Sequence, residues 1–145
     1  ANEKAFTFGW FRSGDEGFYQ EDEKKRPFFF ITGRLKELII RGGVNLAPLE
    51  IDEVINRVPG VKSGISVGFE NDWYGEEVGA YVQRKEGSTV SEQEIIDYCK
   101  TELPFSKCPK VVVFSDSIPV TSTGKYQRMK VVHLFKEWKT IQFKK

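Results

Sequence analysis

Gly33-Arg34-Leu35-Lys36-Glu37-Leu38-Ile39-Ile40-Arg41-Gly42-Gly43-Val44-Asn45-Leu46-Ala47-Pro48-Leu49-Glu50-Ile51 divides the chain into two unlike parts. A Gly-Arg pair leads into an apolar, strand-like run, and the double glycine breaks it. Pro48 then restarts the chain as a helix, because the first helical turn has no partner for the N–H that proline lacks. Residues before this pivot are rich in aromatics and turns. Residues after it carry clean periodicities and end in a second glycine motif, Thr123-Gly124-Lys125.

Downstream of the pivot, Ile51, Val54, Ile55 and Val58 recur at i, i+3, i+4 and i+7, one buried face of a helix that Pro59-Gly60 stops. Ile65, Val67 and Phe69, and then Val78, Ala80 and Val82, alternate with their neighbours and predict two strands joined through residues 71–75. Ser91 with Glu94 forms a capping box. Ile95, Ile96, Cys99 and Leu103 give the helix behind it an apolar stripe, and Pro104 ends it. Residues 111–114 predict a short buried strand. Val131, Leu134, Phe135 and Trp138 predict a last amphipathic helix, with His133 off its stripe and exposed. The order β, α, β, β, α, β, α implies an α+β domain, a small mixed sheet with about three packed helices.

Upstream, Phe6, Phe8 and Trp10 alternate with Thr7 and Gly9 as a strand with one buried face, and Phe18-Tyr19 resumes as another. The charged run 21–26 is a solvated loop tip. Pro27 ends it, and residues 28–32 are apolar and β-prone enough for a buried strand. This lead-in reads as a β-hairpin-like strap whose phenylalanines pack against something larger.

The 145 residues make one domain or slightly more, and 22 Lys and Arg against 21 Asp and Glu leave a net charge of +1. No global field therefore steers the chain to nucleic acid or to anionic membranes. Cys99 and Cys108 lack C-x-x-C spacing, and a lone His133 does not complete a metal site with them, so no metal is expected and a reducing compartment fits. No run approaches the ~20 apolar residues of a membrane span, and no secretion signal opens the chain. The expectation is a cytoplasmic protein with no transmembrane segment.

Candidate residues read two ways at this level. Gly124-Lys125 is not a P-loop, which needs Gly at position 119 and Ser or Thr at 126, where this chain has Pro119 and Tyr126. Lys125 is either a solvated lysine on a flexible polar loop or a mobile point charge that reaches a neighbouring site. Asp15 either favours its turn or takes a vicinal diol with both carboxylate oxygens. Arg34 pairs with an acidic neighbour or clamps a phosphate or carboxylate. Gly42-Gly43 makes a tight turn or admits a ligand close to the backbone.

Taken together, the motifs resemble one family. Phe11-Arg12-Ser13-Gly14-Asp15, Gly33-Arg34-Leu35-Lys36, Gly42-Gly43-Val44-Asn45, Pro48-Leu49-Glu50-Ile51, Tyr74-Gly75-Glu76-Glu77 and the run from Pro119 to Lys125 are similar, in order and spacing, to the adenylate-forming superfamily of acyl-CoA synthetases, peptide-synthetase adenylation domains and luciferases. Two positions depart from it: Ser13 replaces the commoner Thr, and Val44 stands where many CoA ligases carry Glu. The resemblance implies that a carboxylic acid and ATP form an acyl-adenylate, with Mg2+ as cofactor, and that the acyl group passes to coenzyme A. Residues 1–35 would be the tail of a large N-terminal domain plus linker, and residues 36–145 a mobile C-terminal domain.

By the same resemblance Asp15, Arg34 and Lys125 bind the nucleotide, Lys125 is catalytic, Lys36 is the hinge, and Gly42 and Gly43 face the thiol. Partners would be the chain's own N-terminal domain, the acid, ATP and CoA. No cofactor would be held tightly by this chain, which alone would be inactive. Three other readings stand beside this one: an adenylation domain acting on a carrier-protein thiol, a stand-alone binding module, and a basic C-terminal surface. The last would use Lys125, Arg128, Lys130, Lys136, Lys139, Lys144 and Lys145, and the balanced charge argues against nucleic acid as its partner.

Overall fold

The computed structural model describes residues 6–145. The lead-in forms two small antiparallel ladders. The first pairs β1 (Phe6–Thr7) with β2 (Trp10–Phe11). The second pairs β3 (Asp15–Glu21) with β4 (Pro27–Arg34). The expected continuous strand from Phe6 to Trp10 is instead broken by a turn at Phe8 and Gly9, both at positive φ. The charged run is the tip of the second hairpin, where Asp22 accepts the N–H groups of Lys24 and Arg26 at 2.8 and 2.9 Å. The expected buried strand at 28–32 is not buried: Phe29 is 77% exposed, and Phe28, Phe30 and Ile31 are exposed with it. Among the described residues the strand that carries these aromatics pairs with β3 alone, and two strands cannot cover their own faces.

The pivot forms a further hairpin of β5 (Ile39–Arg41) and β6 (Val44–Leu46) rather than one strand and a break. Gly42 and Gly43 are its loop, both at positive φ (57° and 82°), the backbone sign that a two-residue type I′ turn requires and that glycine adopts without strain. β7 (Val61–Asn71) and β8 (Gly75–Arg84) pair antiparallel along their length. On the other side of β8, β9 (Val111–Ser115) runs parallel to Gly79–Gln83, and the β5–β6 hairpin joins where Arg41 meets Gly75. β6 and β7 are thus opposite edges of the sheet.

Both sheet faces are covered. Helices α1 (Pro48–Arg57) and α2 (Glu92–Glu102), with Ile39 and Leu46, pack on Val78, Ala80 and Val82. The capping box at Ser91 is present, with reciprocal bonds of 3.1 and 2.7 Å to Glu94. The opposite face, Ile65, Val67, Phe69 and Tyr81, receives the C-terminal segment. That segment is a 3-10 helix, Val132–Trp138, where an amphipathic α-helix is expected. With three residues per turn, positions i and i+3 eclipse. Val132, Phe135 and Trp138 therefore share the packed side, while Leu134 is left 40% exposed and His133 lies outside as expected. The α+β architecture holds, with two α-helices and a 3-10 helix as its packed helices. No helix among the described residues is long and apolar enough to cross a membrane.

Close approach of the C-terminal segment depends on Gly79, where a Cβ would run into the Phe135 ring. Gly79→Ala is expected to cost about 1–3 kcal/mol by overpacking, read as a lower urea midpoint. Gly33→Ala, whose Cβ meets open space, is expected to leave that midpoint nearly unchanged. Cys99 and Cys108 are buried and unpaired. Burial, and then the neighbouring Cys108, pushes the Cys99 thiol up to about 12. The raised value keeps the thiol protonated, so its contribution to stability is whole below the ordinary thiol range and fades as pH climbs toward 12. Iodoacetamide at pH 8 should leave Cys99 unmodified in the native protein and alkylate it in denaturant.

Candidate functional site

Asp15 and Arg34 are directly opposite each other at the open end of the β3–β4 hairpin. Their side chains stand 3.9 Å apart and remain partly exposed, so the pair is loose and both charges stay available. Gly14, at φ 80°, turns the chain there, its carbonyl accepting the Leu35 N–H at 2.9 Å. Ser13 Oγ accepts the Asp15 N–H at 3.2 Å. Lys36 follows in a 3-10 turn, Leu35–Glu37, with its side chain exposed.

The segment carrying Lys125 is a closed turn rather than the flexible loop expected. Thr121 N–H donates to the Lys125 carbonyl at 2.8 Å, Gly124 N–H to the Thr121 carbonyl at 2.9 Å, and Gln127 N–H to the Pro119 carbonyl at 2.9 Å. Lys125 N–H donates to Thr121 Oγ1 at 3.1 Å, and Gly124, at φ 82°, supplies the left-handed residue that such a turn requires. The Tyr126 hydroxyl meets Ser63 Oγ at 3.1 Å, tying the turn to β7. Lys125 itself is exposed. Asp15, Arg34 and Lys125 together line one cleft of about 310 Å³, with Ile31, Leu49 and Tyr126 as its apolar walls. Gly42 and Gly43 are not part of this cleft; they sit on the β5–β6 hairpin at the other edge of the sheet.

Two buried charge clusters support these two regions. Arg128, expected on a basic surface, is 5% exposed. Its Nη1 donates to Asp52 Oδ1 at 2.9 Å and to the Ser66 carbonyl at 3.1 Å, and its Nη2 lies 2.6 Å from Asp52 Oδ2. Its Nε reaches Glu37 at 3.4 Å. Lys139 stays on the surface, with its charge paired to Glu70 at 2.9 Å. The second cluster centres on Glu77, which is fully buried. Its Oε1 takes Arg41 Nε at 2.7 Å and lies 3.3 Å from Lys110 Nζ. Desolvation lowers the Lys110 pKa, and Glu77 opposes that shift. Arg41 also stacks over the Tyr74 ring at 3.9 Å, while Gly42 N–H donates to the Tyr74 carbonyl at 2.8 Å. This second cluster therefore holds the glycine turn.

Neither cluster follows from residue spacing, although each left a signal. Pro48, Ile51, Asp52 and Ile55 fall at i, i+3, i+4 and i+7, which puts a carboxylate on the apolar face of α1. Glu77 adjoins the buried run of β8. A carboxylate at a core position demands a cationic partner. Asp52→Ala, which strands the Arg128 charge in the interior, should cost about 3–5 kcal/mol, measured by urea unfolding.

No group of three or more His, Cys, Asp or Glu side chains that could hold a metal ion is found among the described residues.

The AMP-binding enzyme C-terminal domain family matches residues 50–125. An oxalate–CoA ligase of Arabidopsis thaliana is 41% identical over 137 residues, which are 94% of this chain and 26% of that protein. The long-chain-fatty-acid–CoA ligase FadD13 of Mycobacterium tuberculosis is 42% identical over 125 residues, 86% of this chain and 24% of that protein. Among solved structures, ATP-bound MatB from Rhodopseudomonas palustris superposes with a TM-score of 0.81 at 33% identity, covering 93% of this chain and 26% of that one. The chain spans about a quarter of the length of these relatives.

Proposed function

Because the chain belongs to the AMP-binding enzyme C-terminal domain family, we propose that it works as the mobile, lysine-bearing part of an ATP-dependent, AMP-forming acid–CoA ligase. The observation that carries this reading is the single cleft shared by Asp15, Arg34 and Lys125, residues drawn from the lead-in, the pivot and the C-terminal turn. Of the charged residues lining the cleft, Glu37 and Arg128 pair with each other, which leaves Asp15, Arg34 and Lys125 to meet a nucleotide. Asp15 takes the ribose hydroxyls, since its carboxylate offers two acceptors and only a loose ion pair competes for them. Arg34 holds a phosphate with its planar fork.

Lys125 supplies the charge that the chemistry lacks. Attack of a carboxylate on the α-phosphate of ATP brings two anionic groups together, forms the acyl-phosphate bond and releases pyrophosphate. An ammonium bridging the two groups offsets the charge that accumulates between them, and most strongly in the transition state. The closed turn of residues 121–125 fixes the backbone from which that side chain reaches, so its placement does not have to be bought from substrate binding.

The second step, transfer to the CoA thiol, uses the glycine turn. Residues 36–145 swing about Lys36, withdrawing Lys125 and bringing Gly42 and Gly43 to the pantetheine arm, where the lack of side chains lets it pass close to the backbone. The large domain, of which residues 1–35 are the tail, packs on the exposed aromatics of the lead-in. CoA is favoured over a carrier-protein thiol because the relatives carry CoA-ligase names. Those names pair this domain, at 41% and 42% identity, with acids as unlike as oxalate and a long-chain fatty acid, so the choice of acid belongs outside it.

In the intact ligase, Lys125→Ala should lower acid-dependent pyrophosphate exchange on the order of 10²–10³-fold while leaving thioester formation from supplied acyl-adenylate largely intact. Equal survival of both steps would make Lys125 a surface lysine and remove this reading.

A further inference from the structure

We propose that the two buried charge clusters are separate positioning devices, one for each step: Arg128 with Asp52 and Glu37 sets the lysine side of the domain, and Glu77 with Arg41 and Lys110 sets the glycine turn. The proposal rests on the two-step reading above. It goes beyond that reading by assigning positioning roles to buried charges, of which Arg128 and Glu37 also line the cleft.

Arg128 joins three walls of the nucleotide cleft. It lies on the 3-10 turn Arg128–Lys130, immediately after the closed turn that bears Lys125. Through Asp52 it grips α1, whose first residues Pro48 and Leu49 line the cleft. Through Glu37 it grips the residue next to Lys36, and Glu37 lines the cleft as well. A planar fork with several fixed donors can hold all these groups at once, which an ammonium cannot. Loss of any arm loosens the frame on which Lys125 stands, and misplacement by about 1 Å costs on the order of 10²-fold in rate.

The Glu77 cluster shares no residue with this frame and lies toward the other edge of the sheet. Glu77 holds Arg41, the last residue before the glycine turn, and Lys110, just ahead of β9. Lys110 in turn donates to the Phe105 and Cys108 carbonyls at 2.7 and 2.5 Å, so the turn is braced against the segment leading into β9. Rigid support for a turn that must lie flush against a thiol arm matters for the transfer step and not for adenylation.

The test is a crossed comparison in the intact ligase. Arg128→Lys and Glu77→Gln are each assayed for pyrophosphate exchange with acid and ATP, and for thioester formation from supplied acyl-adenylate and CoA. Arg128→Lys is expected to lower kcat for the first step by roughly tenfold or more, with KM for ATP and the second step within about twofold; Glu77→Gln is expected to do the reverse. A purely structural role predicts equal loss in both steps, or none, and either result overturns the proposal. Should a variant fail to fold, Glu37→Ala and Tyr74→Leu replace them, since each removes one arm of its cluster and leaves the central ion pair. They must show the same crossed pattern. Lys125→Ala runs alongside: if it spares adenylation, the two-step reading itself falls. If it blocks adenylation while the cluster variants show no crossing, only the positioning roles fall.

Discussion

Among the described residues no strand lies beside the outer edge of β7, yet its backbone groups lie close under helix α1. Each such N–H and C=O needs a partner if it is not to be buried unsatisfied. Side chains take the place of the missing strand. Asn56 accepts the Gly64 N–H at 2.9 Å and donates to the Gly64 carbonyl at 2.8 Å. Asp52 accepts the Ser66 N–H at 2.6 Å, and Arg128 donates to the Ser66 carbonyl at 3.1 Å. This substitution fixes α1 against the sheet and buries Arg128. Since Lys125 lies three residues before Arg128 in sequence, it also fixes the origin of the lysine turn.

The consequence reaches the candidate site directly. A buried arginine needs acceptors for its fork, and a buried Asp52 needs a cation, so neither residue can be satisfied unless the lysine turn docks against β7. Gly64 permits the approach, because a Cβ there would collide with Ile55 of α1. The same logic operates at the β5–β6 end, where Glu77 is tolerable inside the protein only with Arg41 and Lys110 beside it. Lys36 and Lys125 are exposed, while the buried charges hold the segments next to them in place. On the proposed two-step reading, such a division keeps the supports rigid through the swing about Lys36.

Much of this was legible beforehand. Helix α1 and helix α2 follow from apolar stripes and from local stop signals, and the capping box at Ser91 depends on residues only three apart. β7 and β8 follow from alternation. Errors fell where the outcome depends on distant neighbours. The stripe from Val131 to Trp138 fits an α-helix and a 3-10 helix almost equally, and only packing on Ile65, Val67 and Phe69 selects the tighter winding. The aromatic run at 28–32 has strand propensity, but burial requires a covering surface, which a two-stranded hairpin does not provide. Gly42-Gly43 is readable as a break; as a turn it needs β6 to pair with β5.

By itself, then, the sequence determined the α+β class, the element order and the family to which the motifs point, because periodicity, caps and motif spacing are local properties. It also marked Asp15, Arg34, Lys36, Gly42, Gly43 and Lys125 as residues to watch. Tertiary structure alone decided that Asp15, Arg34 and Lys125 line one cleft and that the glycine turn lies elsewhere. It alone paired Arg128 with Asp52 and Glu77 with Arg41 and Lys110. These pairings join residues far apart in the chain, and a buried charge announces that it needs a partner without naming which one. The choice is made by the sheet order and by the unpaired edge of β7, neither of which any short stretch of residues encodes.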